Sequence, residues 1–188
     1  MKLMKNEEKV FESNVTIRFP DCDPFNHLNN GRYSDYFLNA REDHLLKFMG
    51  FNIYQVAKEK GISWVVSQNQ IAYLRPATLM ETVVIQSTII KWNAKSVRVE
   101  LRMWNKDKTI LKALMWSEFT HYNLVTQKSI LHSEELNDLF RPYLNTLPAE
   151  HSTFEERTAF LKTKSAIELD HPFSHYESPI GYRLAIAV

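Results

Sequence analysis

The stretch Arg18-Phe19-Pro20-Asp21-Cys22-Asp23-Pro24-Phe25-Asn26-His27-Leu28-Asn29-Asn30-Gly31-Arg32-Tyr33 decides how the rest of the chain is read. It places two carboxylates, a histidine and asparagines between two segments of different periodicity. Before the cluster, Val15, Ile17 and Phe19 alternate, which predicts a short strand over Val15 to Phe19. After it, Tyr33, Tyr36, Phe37, Ala40, His44, Leu45 and Phe48 recur at three- and four-residue steps, the apolar face of an amphipathic helix. Gly50 is placed to stop that helix, and Asn29 or Asn30 to cap its start. Pro20 and Pro24 mark a constrained loop around the aspartates. The polar cluster therefore sits at a strand-to-helix junction. There the first helical turn offers N–H groups without intrahelical acceptors and the positive end of the helix dipole. A carbonyl held at such a place is polarised, and a neighbouring carboxylate can attack it or deprotonate a water.

Further along, Ile53 to Lys60 reads as a short helix ending at Gly61. A β-rich run follows. Trp64 to Leu74 is a strand stopped by Arg75-Pro76, and Val83 to Trp92 is another, followed by a turn at Asn93-Ala94. Ser96 to Trp104 alternates: Val97, Val99, Leu101 and Met103 face one way, and Arg98, Glu100 and Arg102 the other. After the polar turn Asn105 to Lys108 come a long strand, Thr109 to Asn123, and a short one, Lys128 to His132. Ser133-Glu134-Glu135 opens a short helix to about Tyr143. One long helix set against a meander of antiparallel strands is an α+β architecture. Residues 1–144 form one domain on this reading, and residues 145–188 an extension packing on the core or on an interface. Within the extension, Phe154, Thr158 and Leu161 are spaced for a helix over Ser152 to Lys162.

Composition narrows the function classes. The chain has 188 residues, enough for one core, and a formal net charge of +1. That balance argues against a nucleic-acid partner, which needs a basic surface. Only 4 glycines occur, and neither a dinucleotide fingerprint nor a phosphate-cradling loop can be built from them. Cys22 is the single cysteine, the N-terminus has no apolar leader segment, and no apolar run reaches membrane-spanning length. A cytoplasmic protein without a membrane partner is expected. His151, His171 and His175 are not at a zinc-binding spacing, so no metal and no cofactor are expected.

The D-x-D of Asp21-Cys22-Asp23 and the H-x-N-N of His27-Leu28-Asn29-Asn30, with Tyr33 following, resemble the 4-hydroxybenzoyl-CoA thioesterase family of the hot-dog fold. The resemblance covers about Val10 to Tyr143. It departs from the family at Asn26, where many relatives have glycine; asparagine tolerates the left-handed conformation that this position is expected to need. The resemblance implies a long central helix wrapped by a curved antiparallel β-sheet, and an enzyme that hydrolyses an acyl-CoA thioester. It implies Asp23 as the catalytic carboxylate, either nucleophile or general base, and the N–H of Asn30 as the oxyanion donor. It also implies Lys95 and Ser96 as contacts to the CoA nucleotide, and a homodimer or homotetramer in which two subunits share each site. His27 is read as setting the loop geometry beside the catalytic group, Asp21 as structural, Cys22 as a small buried side chain, and Tyr33 as a core residue near enough to line a pocket. Trp64, Tyr73 and Trp116 are candidates for an acyl pocket. The acyl group and its carrier, CoA or a carrier protein, stay open. The alternative is a non-catalytic hot-dog module that binds an acyl or aromatic ligand.

Overall fold

The computed structural model describes residues 9–165. The first strand, β1 (Phe11–Thr16), starts earlier than the alternation of Val15, Ile17 and Phe19 suggested, and it ends before Phe19. Ile17 is fully buried, but Phe19 opens a 3₁₀ turn, Phe19–Asp21, and projects into solvent. Proline at the second position of that turn cannot donate to a ladder, which ends the strand. A second 3₁₀ turn, Asn30–Arg32, leads into the long helix α1 (Tyr33–Met49). The side chain of Asn29 caps this entry by accepting from the N–H of Gly31 at 2.9 Å. Gly50 ends α1 at φ 63°, and its N–H returns to the carbonyls of Leu45 and Leu46. Helix α2 (Ile53–Lys60) is bounded in the same way by Asn52 and the left-handed Gly61.

Five long strands form one curled antiparallel sheet. After β1 come β2 (Ile62–Tyr73), β3 (Thr82–Trp92), β4 (Ser96–Asn105) and β5 (Leu111–Asn123), in the spatial order β1-β3-β4-β5-β2. The short β6 (Lys128–Ser129) pairs with the end of β5 and stops before His132. Helix α3 (Glu134–Phe140), capped by Ser133, and a 3₁₀ turn, Arg141–Tyr143, follow. The concave face of the sheet wraps α1. Phe37, Ala40 and Leu45 of the helix pack against Ile85 and Ile89 of β3, Val99, Leu101 and Met103 of β4, and Met115 of β5. This is the hot-dog arrangement.

The polar face of β4 is not a solvent face. Helix α4 (Phe154–Ser165) covers it, burying Leu161 with Val84, Trp104, Leu111 and Leu114. Glu100 is fully buried there. It accepts from Arg157 Nε at 2.9 Å and Nη2 at 2.8 Å, and from Trp116 Nε1 at 3.0 Å. Trp116 therefore belongs to the convex side, and its candidacy for an acyl pocket inside the curl is corrected. The remaining sequence positions, including His171 and His175, lie outside the described residues.

Candidate active site

The junction between β1 and α1 folds onto the segment that follows β2. Leu28 N–H donates to Ala77 C=O at 2.8 Å, Leu79 N–H to Asn26 C=O at 2.9 Å, and His27 bridges to Thr78. Asn26 takes φ 60°, the left-handed conformation expected where relatives carry glycine. This turn lets Asp23 curl back on its own loop. Its Oδ1 accepts from the N–H groups of Phe25 at 2.9 Å and His27 at 3.0 Å. Asp23 N–H donates to His27 C=O at 2.7 Å. One carboxylate oxygen thus holds the loop, and the other has no hydrogen bond to the described residues.

Asp23 lines a cavity of about 220 Å³ together with His27, Leu28, Asn30, Tyr33, Tyr73, Leu74, Arg75 and Pro76. Four of the expected site residues, Asp23, His27, Asn30 and Tyr33, are therefore gathered in one place. Asn30 is the first residue of the helical entry, so its N–H is among those without an intrahelical acceptor. Its carbonyl is held by Tyr73, whose hydroxyl donates to it at 3.0 Å. The Tyr33 hydroxyl accepts from Ala77 N–H at 3.1 Å, and burial pushes its pKa up. Tyr33 is buried and is among the residues lining the cavity.

Asp21 faces away from this cavity and ties the loop to α1. Its Oδ2 accepts from the Tyr36 hydroxyl at 2.8 Å, and its Oδ1 lies 3.7 Å from Arg32 Nε. Cys22 is half-buried rather than buried, with its thiol donating to Arg18 C=O at 3.4 Å. Desolvation, then the negative charges of Asp21 and Asp23, push the thiol pKa up, the opposite of what a nucleophilic thiolate needs. His27 shapes the loop through its backbone. Its N–H and C=O make the bonds, its ring makes no hydrogen bond to the described residues, and the residue lines the cavity. Arg75 was read in the sequence only as part of a strand stop. Its place in the cavity with Asp23 depends on a separation of 52 residues (75 − 23) closed by the fold, and no local pattern announces it.

Lys95 and Ser96 are not brought to this cavity within one chain. They sit at the β3–β4 turn, and β3 runs the length of the sheet, roughly 30 Å, between that turn and Thr78. Ser96 Oγ donates to Glu118 Oε1 at 2.6 Å, while the Lys95 side chain is exposed. A second cavity of about 140 Å³, mostly apolar, lies at the other end of α1. Leu38, Arg41, Glu42 and Leu45 line it from the helix, Trp64 and Val66 from β2, and Phe119 from β5. Trp64 and Tyr73, both acyl-pocket candidates, thus line different cavities. Among the described residues no cluster of three metal-ligating side chains occurs, and no helix is long and apolar enough to cross a membrane.

A hot-dog sheet with an acid-bearing loop at the start of its helix defines a class of thioester-processing proteins. A family model described as the thioesterase-like superfamily matches residues 17–140, and the chain belongs to that superfamily. The long-chain acyl-CoA thioesterase FadM of Escherichia coli (strain K12) is 28% identical over 129 residues, covering 68% of this chain and 94% of that protein. Among solved structures, the probable thioesterase YbaW of Escherichia coli superposes with a TM-score of 0.62 at 25% identity, covering 71% of this chain and 98% of that one. The DHNA-CoA thioesterase of Staphylococcus aureus superposes with a TM-score of 0.64 at 18% identity, covering 82% and 94%. At that identity it speaks for the fold alone. Family and relatives together support an enzyme that hydrolyses acyl-CoA thioesters.

Proposed function

We propose that Asp23 carries the hydrolysis and that the N–H of Asn30 polarises the thioester carbonyl. The observation that supports this is one cavity holding both an acid with an uncommitted oxygen and the N–H groups of a helix start. The carbonyl oxygen accepts from Asn30 N–H, where the helix dipole favours developing negative charge. Asp23 Oδ2 then acts in one of two ways. As a nucleophile it bonds to the carbonyl carbon, expels the CoA thiolate and leaves a mixed anhydride that water cleaves. As a general base it takes a proton from water, whose oxygen attacks the same carbon. Both routes consume one water and release acid and CoA thiol.

The loop bonds of Asp23 favour a second reading, in which the carboxylate is a turn cap and the protein binds an acyl ligand without hydrolysing it. Asp23→Asn separates the two. An asparagine carbonyl oxygen still accepts from Phe25 and His27, so the loop is retained, but the nucleophile or base is gone. Thiol release is measured from short, long and aromatic acyl-CoAs. In a folded Asp23→Asn protein, turnover should fall by a factor of about 100 or more. Equal turnover by the two proteins removes Asp23 from the chemistry. Retained binding with no turnover in either protein supports the binding module.

Lys95 and Ser96 can contribute to a CoA site only from a second subunit, given their distance from Asp23 along β3. We accordingly propose a homodimer, with the exposed Lys95 of one chain meeting the nucleotide phosphates bound at the other. Residues 145–165 are proposed to be part of an extension that covers the core, through α4.

A further inference from the structure

The apolar cavity at the far end of α1 contains a charge that the hydrolytic reading does not use. Arg41 is 7% exposed, and it lines the cavity wall. Among the described residues it forms no ion pair and no hydrogen bond. Burial lowers its pKa to about 10 with no carboxylate offsetting the shift, so it remains a cation at neutral pH. Glu42, its neighbour, also lines the cavity; among the described residues it forms no ion pair with Arg41, and its Oε2 accepts from the Tyr54 hydroxyl at 2.6 Å. A largely buried guanidinium without a protein partner is held at a cost. An anion that enters the cavity recovers that cost.

Two further features connect this charge to the acid site. Asn30, Ser34, Leu38, Arg41 and Leu45 follow at three- and four-residue steps and form one stripe along the helix. Arg41 lies about 12 Å along the axis of α1 from its first residue, Tyr33, at ~1.5 Å per residue. A chain leaving a carbonyl at Asn30 and following the stripe arrives at Arg41. Ser117 supplies the second feature. It pairs across the sheet with Val99, whose side chain lines the cavity, and cross-strand partners share a face. Its Oγ is buried without a partner. At about 140 Å³ the cavity far exceeds the ~10–15 Å³ that one water occupies.

We propose that this cavity is an acyl-end subsite for a carboxylate, so that the preferred substrates are CoA esters of α,ω-dicarboxylic acids. The far carboxylate accepts from the Arg41 guanidinium, and the methylene chain lies on Leu38, Val66 and Phe119. This deepens the hydrolytic reading and rests on it for turnover, but not for binding.

The test compares decanedioyl-CoA with decanoyl-CoA in wild type, Arg41→Met and Arg41→Lys, by thiol release. Calorimetry of free decanedioate and decanoate on the same proteins runs in parallel. Wild type should favour the dicarboxylic ester by about tenfold or more in kcat/KM, as for a charge-assisted pair out of water. Arg41→Met should lose that preference, the ratio of the two kcat/KM values falling towards one, and Arg41→Lys should keep part of it. A wild type that hydrolyses decanoyl-CoA at least as well overturns the subsite and leaves the hydrolytic reading standing. So does an Arg41→Met protein with unchanged selectivity, including one that has only lost an oligomer contact. If no ester is cleaved, the hydrolytic reading fails and calorimetry decides the subsite: Arg41-dependent binding of decanedioate supports it, and equal binding of the two acids overturns it. Should Arg41→Met not fold, the wild-type preference and Arg41→Lys decide.

Discussion

Asn26 sits at φ 60°, where a side chain bearing a Cβ is tolerated poorly and a β-branched one worst. Its carbonyl accepts from Leu79 N–H and its N–H donates to Asp23 C=O, so its conformation sets where the Asp23 loop docks. Asn26→Gly should match or exceed wild-type stability. Asn26→Val should cost about 1–2 kcal/mol and lower activity in step, because the loop carrying Asp23 shifts. Thermal unfolding of the three proteins beside their thiol-release rates checks this; equal melting temperatures would mean the turn is not strained. The same residue shows what single positions reveal before folding. An asparagine standing where relatives carry glycine points to a left-handed turn from chemistry alone. The division of labour between the two aspartates does not. Both are acids in a turn, and only the fold shows that Asp21 reaches Tyr36 while Asp23 faces the cavity. Arg75 and Arg41 were equally silent, since an arginine in sequence carries no record of whether a carboxylate will meet it.

At the scale of elements, helix α4 is fixed to the sheet by one buried acid. Burial alone would raise the Glu100 pKa, but hydrogen bonds from Arg157 and the charge of Arg102, 3.5 Å away, outweigh it and hold the carboxyl below its ordinary value of 4.5. Arg157→Met removes the strongest partner and leaves the acid in place. It should destabilise the protein by about 3 kcal/mol, the scale of an orphaned buried charge. A Glu100→Gln/Arg157→Met protein should recover most of that loss. The sign of the pH dependence follows from the depressed pKa: the Glu100 contribution is complete above its unfolded value and is lost as pH falls through the folded one. The gap between wild type and the double variant should therefore narrow in urea melts taken below about pH 4.5, and a gap constant with pH would deny Glu100 its role.

Elements with local punctuation were legible: Asn52 and Gly61 bound α2 where Ile53 to Lys60 were read. Strand β1 was not, because its inward Ser13 is polar and is satisfied only by buried His44, whose Nε2 lies 2.9 Å from Ser13 Oγ. The covered face of β4 was hidden for the same reason. Arg98, Glu100 and Arg102 look like a solvent face until Arg157, far along the chain, arrives.

For the whole molecule the open question is the sheet's unpaired edge. Strand β2 bonds to β5 on one side, and among the described residues no strand bonds its other side. It is 12 residues long, and Val65 to Asn69 are exposed along it. A long free edge with apolar side chains invites pairing, and two copies related by a twofold axis can pair such an edge with itself. That junction would extend the sheet across two subunits and give Lys95 of one chain a route to the Asp23 cavity of the other. Antiparallel N–H groups alternate between the two edges of a strand, so neighbouring residues point theirs in opposite directions. Of Asn69→Pro and Gln70→Pro, one therefore deletes a bond to β5 and the other an N–H facing outward. Light scattering on wild type should give a dimer. One of the two variants should be a folded monomer with turnover sharply reduced, and the other should be destabilised yet still dimeric while folded. Two folded dimers would mean that the chains associate through another surface and that the shared-site geometry must be abandoned. A monomeric wild type with full turnover would place the entire CoA site within one chain, leaving Lys95 and Ser96 as turn residues only.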